Sequence, residues 1–139
     1  MTDTDKKLAR VYVSNWHKLG LIKTSVSVQL LSAASFLETI EDFILYAMKK
    51  VGISYNYLSK DYQNNTNFLV KAVLKLKDGL KLLTEIAESN KTMYLKVVDC
   101  LSEEEIAFVL KDVSLSKLPR TKLVARLKKE VTLNMNKEC

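Results

Sequence analysis

Glycine and proline are scarce in this chain, with three Gly and one Pro among 139 residues, where average usage would supply roughly 10 and 7. Hairpins and turn-rich sandwiches need Gly where φ is positive and Pro or Gly at their corners, so a β architecture is excluded as the organising principle. The same scarcity removes glycine-rich phosphate loops. No G-x-x-x-x-G-K-[ST], G-x-G-x-x-G or G-x-S-x-G spacing occurs, and nucleotide-dependent catalysis is not expected.

Histidine and cysteine are nearly as rare: His17, Cys100 and Cys139 stand singly. Structural zinc needs closely spaced Cys and His ligands, which these are not. A His17–Cys100 nucleophile pair would need an orienting group and an oxyanion loop, and neither motif is present. His17 is expected as a partly exposed helix-end residue and Cys100 as a small packing residue. A Cys100–Cys139 disulfide is not expected, which fits a reducing compartment. Glu38, Glu41 and Asp42 crowd one stretch, but no Glu-x-x-His pair accompanies them, so a solvated acidic face is expected rather than a carboxylate metal site. No catalytic residue, metal or cofactor is read from the sequence, and no small-molecule substrate is evident.

Long uninterrupted apolar runs are also missing. The most apolar window, Val26 to Met48, is broken by Gln29, Glu38, Glu41 and Asp42, a poor membrane span. The first residues, Thr2 to Lys7, are polar or charged and do not read as a secretory leader. The expectation is an intracellular protein, cytoplasmic or nuclear, with the sequons at Asn64 and Asn90 unused.

What is present is helical periodicity. A first helix is predicted to start after Thr4 or Asp5 and stop at Gly20, with Leu8, Val11, Tyr12 and Leu19 at helical spacing. A long second helix is predicted from Ser25 to Lys50, capped by Gly52. Its apolar residues spread around most of the circumference, which marks a central or shared helix. Residues Ile53 to Asn67 read as a loop. A third helix is predicted from Asn67 to Ser89 despite Gly79, which costs about 1 kcal/mol inside a helix and marks a close helix contact.

Met93, Tyr94, Val97, Val98 and Leu101 make a short fourth face. Ser102-Glu103-Glu104-Glu105 has capping-box spacing, with Leu101 and Ile106 placed as a hydrophobic staple, so a fresh helix is predicted from Glu103 through Val113. Pro119 suits the first position of a last helix, striped by Leu123, Val124, Leu127 and Val131. The tail from Thr132 is expected to fray. The fold class is all-α: one domain over 1–139, an antiparallel helical bundle of about five to six helices.

Charge is unevenly placed. Residues 117–139 carry seven Lys/Arg against two Asp/Glu, whereas 1–116 carry fifteen against fourteen. Nearly all of the net +6 is therefore local to the C-terminal helix,. Lys117, Arg120, Lys122, Arg126, Lys128 and Lys129 form a candidate basic partner face, and Lys137 adds to its charge. No aromatic residue lies in 117–139, so stacking on single-stranded bases has nothing to use there.

The run from Ser116 through Leu123, with the helix from Glu103 before it, resembles part of a SAP-type DNA-binding helix pair over about 30 residues. It departs from that pattern at Arg120, where such modules place Gly before the Thr-Lys pair, and in the spacing after it. No family assignment follows.

Phe36, Leu45, Tyr46 and Met48 form a second candidate, an apolar face for a partner or another copy. The function expected is a protein–protein interaction module, adaptor or regulatory, without catalytic activity and with self-association open. The alternative is nucleic-acid binding through the basic helix.

Overall fold

The computed structural model describes residues 1–137 and, among them, nine α-helices, two 3-10 turns and no strand. The chain falls into two compact units, Met1–Ile53 and Ser54–Cys139.

The first unit holds α1 (Asp3–Lys18), α2 (Thr24–Ala34) and α3 (Ile40–Val51), each touching the other two. Thr2 caps α1 by accepting from the Asp5 N–H at 3.1 Å, slightly earlier than the sequence suggested. Asp3 and Asp5 then face the positive end of the helix dipole,. Gly20, with φ +77°, turns the chain after α1. Trp16 is buried and stacks on Tyr12 at 5.8 Å and on Phe43 of α3 at 6.3 Å.

The predicted long second helix is two helices. Ser35 Oγ donates back to the Ser32 carbonyl at 2.7 Å, a local bond that competes with helix continuation. Thr39 then caps a new helix, accepting from the Asp42 N–H at 3.1 Å with Glu41 and Asp42 in its first turn. Gly52 ends α3 in the left-handed region, as the sequence predicts.

The second unit holds a 3-10 turn (Tyr55–Tyr57), α4 (Lys60–Gln63), α5 (Thr66–Lys75), α6 (Gly79–Ser89), α7 (Lys91–Cys100), α8 (Glu103–Val109), a second 3-10 turn (Val113–Lys117) and α9 (Arg120–Lys137). Helix α6 is its centre, contacting α5, α7, α9 and the first 3-10 turn. Leu82, Leu83, Thr84 and Ile86 are all buried, and the Thr84 hydroxyl is satisfied by the Leu80 carbonyl at 2.8 Å.

The predicted third helix is also two. Asp78 caps α6 by accepting from the Lys81 N–H, and Gly79 sits so close to Val73 that a Cβ would collide with its backbone carbonyl. The close contact read from Gly79 exists, at a helix start rather than mid-helix.

The expected loop around residues 53–67 is held firmly. The Tyr55 N–H donates to Glu85 Oε2 and its hydroxyl to the Gln63 carbonyl, both at 2.8 Å. Burial raises the Tyr55 phenol above its usual pKa, partly offset by a hydrogen bond to Asn90. The capping box forms in both directions, Glu105 N–H to Ser102 Oγ at 3.1 Å and Ser102 N–H to Glu105 Oε1 at 2.9 Å. Helix α8 stops at Val109, short of the predicted Val113, as Lys111 adopts φ +61°.

Candidate functional site

Helix α9 carries the chain's concentrated positive charge, and its own sequence fixes which way that charge faces. Leu123, Leu127 and Val131 recur at i, i+4 and i+8 and are 0%, 0% and 2% exposed. That stripe seats the helix. At 100° per residue, Lys129 and Lys122 fall on the opposite side, with Leu133 and Arg126 in line with them toward one flank. All four are exposed, Leu133 to 44%. Lys128 is exposed on the flank, and Lys117 is exposed in the 3-10 turn before the helix. The helix does not fray at Thr132 but continues to Lys137, whose side chain lies outside the described residues, as does Cys139, for which no disulfide is expected.

Arg120 belongs to a different task from the other cations. Its guanidinium donates to the carbonyls of Leu101 at 2.6 Å, Val98 at 2.9 Å and Asp99 at 3.0 Å. These lie at the C-terminal end of α7, where helix carbonyls lack intrahelical partners and the dipole is negative. A side chain expected on the partner face is thus a clamp joining the start of α9 to the end of α7. The Arg that departs from the SAP-type pattern is this clamp. Arg126 pairs with Glu130 at 3.8 Å on an exposed surface, which leaves the pair weak and screened.

The four residues of the candidate apolar face do not form one exposed surface. Leu45 and Met48 are buried at 8% and 5% exposure, and Tyr46 is half-buried with Lys50 Nζ 5.8 Å from its ring centroid. Phe36 alone stands out, 86% exposed in the turn between α2 and α3. Helical spacing showed that α3 is apolar on several sides; it could not show which sides are covered.

His17 is exposed near the end of α1, with Nε2 3.2 Å from the Thr24 hydroxyl. Cys100 is an exposed free thiol at the end of α7, not the packing residue expected. Glu41 and Asp42 occupy the first turn of α3 with Glu38 just before it, so their clustering has a structural cause in the helix dipole. No group of three or more His, Cys, Asp or Glu side chains placed to hold a metal ion occurs among the described residues. Nor is any described helix long and apolar enough to cross a membrane.

Compared with known proteins, the chain matches no family model, no curated protein and no solved structure.

Proposed function

We propose that this protein is a helical interaction module that takes an acidic protein surface on the outward stripe of α9. One observation carries the reading: Lys122, Arg126 and Lys129 line up on the outward side of α9, away from the buried Leu123–Leu127–Val131 stripe, and the line ends on exposed Leu133. Three long cations on a convex helix steer an anionic partner. An apolar side chain at the end of the row gives that partner something to desolvate, as interface anchors do.

Leu133 is what favours protein over nucleic acid. A phosphate backbone would engage the cations but leaves Leu133 without a role, and the helix offers no ring for a base to stack on. Binding rather than chemistry fits the rest of the surface, where the single histidine is shared with a threonine hydroxyl. The exposed thiol of Cys100 suits a reducing, intracellular setting,.

The test is a titration of the full chain with an acidic Glu/Leu peptide and with duplex DNA and RNA, each at two salt concentrations. The triple variant K122E/R126E/K129E should weaken peptide binding by at least about 10-fold. Leu133→Ser should weaken the peptide while leaving any residual nucleic-acid binding unchanged. Tight, salt-dependent duplex binding insensitive to Leu133, with no peptide binding, would hand the site to nucleic acid. No binding to either would leave the stripe a solvated face.

A further inference from the structure

The first unit contains a second collection of polar groups, on a concave rather than a convex surface. Along α1, Lys6, Arg10, Ser14 and His17 recur at i, i+4, i+8 and i+11, beside the buried Ala9–Val13–Trp16 stripe. They span about 16 Å at 1.5 Å per residue. Helix α2 runs alongside in the opposite sense, so Thr24 faces His17 and Leu31 faces Arg10. Between them lies a cavity of about 260 Å³ lined by Arg10, Ser14, His17, Thr24 and Ser27 over an apolar floor of Val13 and Leu31. A smaller cavity of about 180 Å³ adjoins it at Arg10 and Leu31 and reaches Lys6.

Two further features bear on what this groove holds. Among the described residues, neither the Lys6 ammonium nor the Arg10 guanidinium is engaged in an ion pair or hydrogen bond. The start of α2 also lacks the side-chain cap that Thr2 gives α1 and Thr39 gives α3. The free N–H groups of its first turn, at the Thr24 end of the cavity, are those that favour anions.

We infer that the α1–α2 groove binds a small phosphomonoester, with its phosphoryl group between Arg10, Ser14, His17, Thr24 and Ser27 and its carbon skeleton on Val13 and Leu31. A forked guanidinium, the Ser14 hydroxyl and an uncapped helix start supply donors from several directions, and the Thr24–His17 pair at 3.2 Å can re-orient toward an anion. The Ser27 hydroxyl donates to the Lys23 carbonyl at 3.2 Å and offers its oxygen only as a wall of the site. Donors so spread suit three terminal phosphoryl oxygens better than the two of a carboxylate. The larger hollow, about 260 Å³ and open to solvent, has room for a phosphoryl headgroup and a small carbon skeleton,. Asp3 lies one turn beyond Lys6 on the same side of α1, which disfavours an anion at that end and places it at the Arg10–His17 end.

The experiment is amide-resolved NMR of the full chain titrated separately with phenyl phosphate, inorganic phosphate and benzoate. Saturable shifts are expected at Ser14, His17, Thr24, Ser25 and Ser27, with phenyl phosphate tighter than inorganic phosphate because only it uses the apolar floor. Arg10→Ala should weaken phenyl phosphate by about 10-fold, and Arg10→Lys by less, since the lysine keeps charge but loses the fork. Arg10 is exposed, so both variants should retain the parent spectrum elsewhere, and Ser14→Ala provides an independent reading if one does not. Absent or non-saturating shifts, or shifts undiminished in Arg10→Ala, would overturn the site. Benzoate binding as tightly as phenyl phosphate would overturn the ligand class, and inorganic phosphate binding as tightly would overturn the monoester.

Discussion

The two units use their polar side chains differently. In the second, six α-helices and two 3-10 turns leave many ends to satisfy, and side chains are committed to those ends. Asn65, Asp78, Asn90 and Ser102 each accept from a first-turn N–H, Glu85 binds the Tyr55 N–H, and Arg120 takes three carbonyls at the end of α7, those of Val98, Asp99 and the capping Leu101. The first unit has three helices, an uncapped α2, and cations along α1 that nothing else holds. Short helices consume polar groups because each terminus exposes unpaired backbone. A polar side chain near a helix end is therefore weak evidence of function, whereas one lining a cavity and holding nothing is stronger evidence. The outward stripe of α9 meets this test only in part: Arg126 reaches Glu130 at 3.8 Å in an exposed, weak pair, while Lys122 and Lys129 are exposed on the helix surface,.

The largest effect should separate two glycines, one in each unit. Gly79 has no room for a Cβ because the Val73 carbonyl is in the way, while Gly20 has open space but φ +77°. Gly79→Ala must move backbone and should cost about 2–3 kcal/mol. Gly20→Ala meets only left-handed strain and should cost about 1 kcal/mol. Urea midpoints at constant m-value read both. Equal losses would mean that the α5–α6 turn relaxes freely and that Gly79 does not fix it.

Arg120→Met comes next, at about 2 kcal/mol. It removes a charged donor from three carbonyls while keeping an apolar stem. Arg120→Lys should recover only part of the loss, because one ammonium cannot reproduce the fork. The outward residues provide the contrast: Lys122→Ala and Lys129→Ala should stay within about 0.5 kcal/mol of the parent protein. A comparable loss at Lys122 or Lys129 would erase the distinction between clamp and interface on which the α9 reading depends.

What the sequence made legible was whatever depends on near neighbours. The Ser102–Glu105 box, the Gly52 terminus and the Leu123–Leu127–Val131 stripe each lie within one or two turns of chain, and all form. The breaks at 35–39 and 76–78 were hidden because apolar residues keep recurring across so short an interruption. Their signals were nonetheless present: Thr39 followed by Glu41 and Asp42, and Asp78 directly before Gly79. Charge concentration on α9 was legible as composition, but Arg120's role was not, since its acceptors lie 19 to 22 residues earlier. Covering of Leu45 and Met48 likewise depends on packing. The α1–α2 groove needed the antiparallel pairing of two helices before Arg10 and Ser27 could be seen to share a cavity.

The smallest effect compares two caps. Ser102 belongs to a reciprocal box, whereas Thr39 shows only the single bond from Asp42 N–H. Ser102→Ala removes the acceptor for Glu105 N–H and loosens the return bond from Ser102 N–H to Glu105, so about 1 kcal/mol is expected. Thr39→Ala removes one acceptor at an exposed terminus and should cost about 0.5 kcal/mol. Amide exchange provides a local readout that global unfolding does not: the Glu105 N–H should lose protection in one variant and the Asp42 N–H in the other. If Thr39→Ala proves the more costly, the break between α2 and α3 depends on its cap more than on the Ser35 back-bond. In that case restoring helix propensity at Ser35 while removing Thr39 should fuse the two helices into the single long one that the hydrophobic period alone predicts.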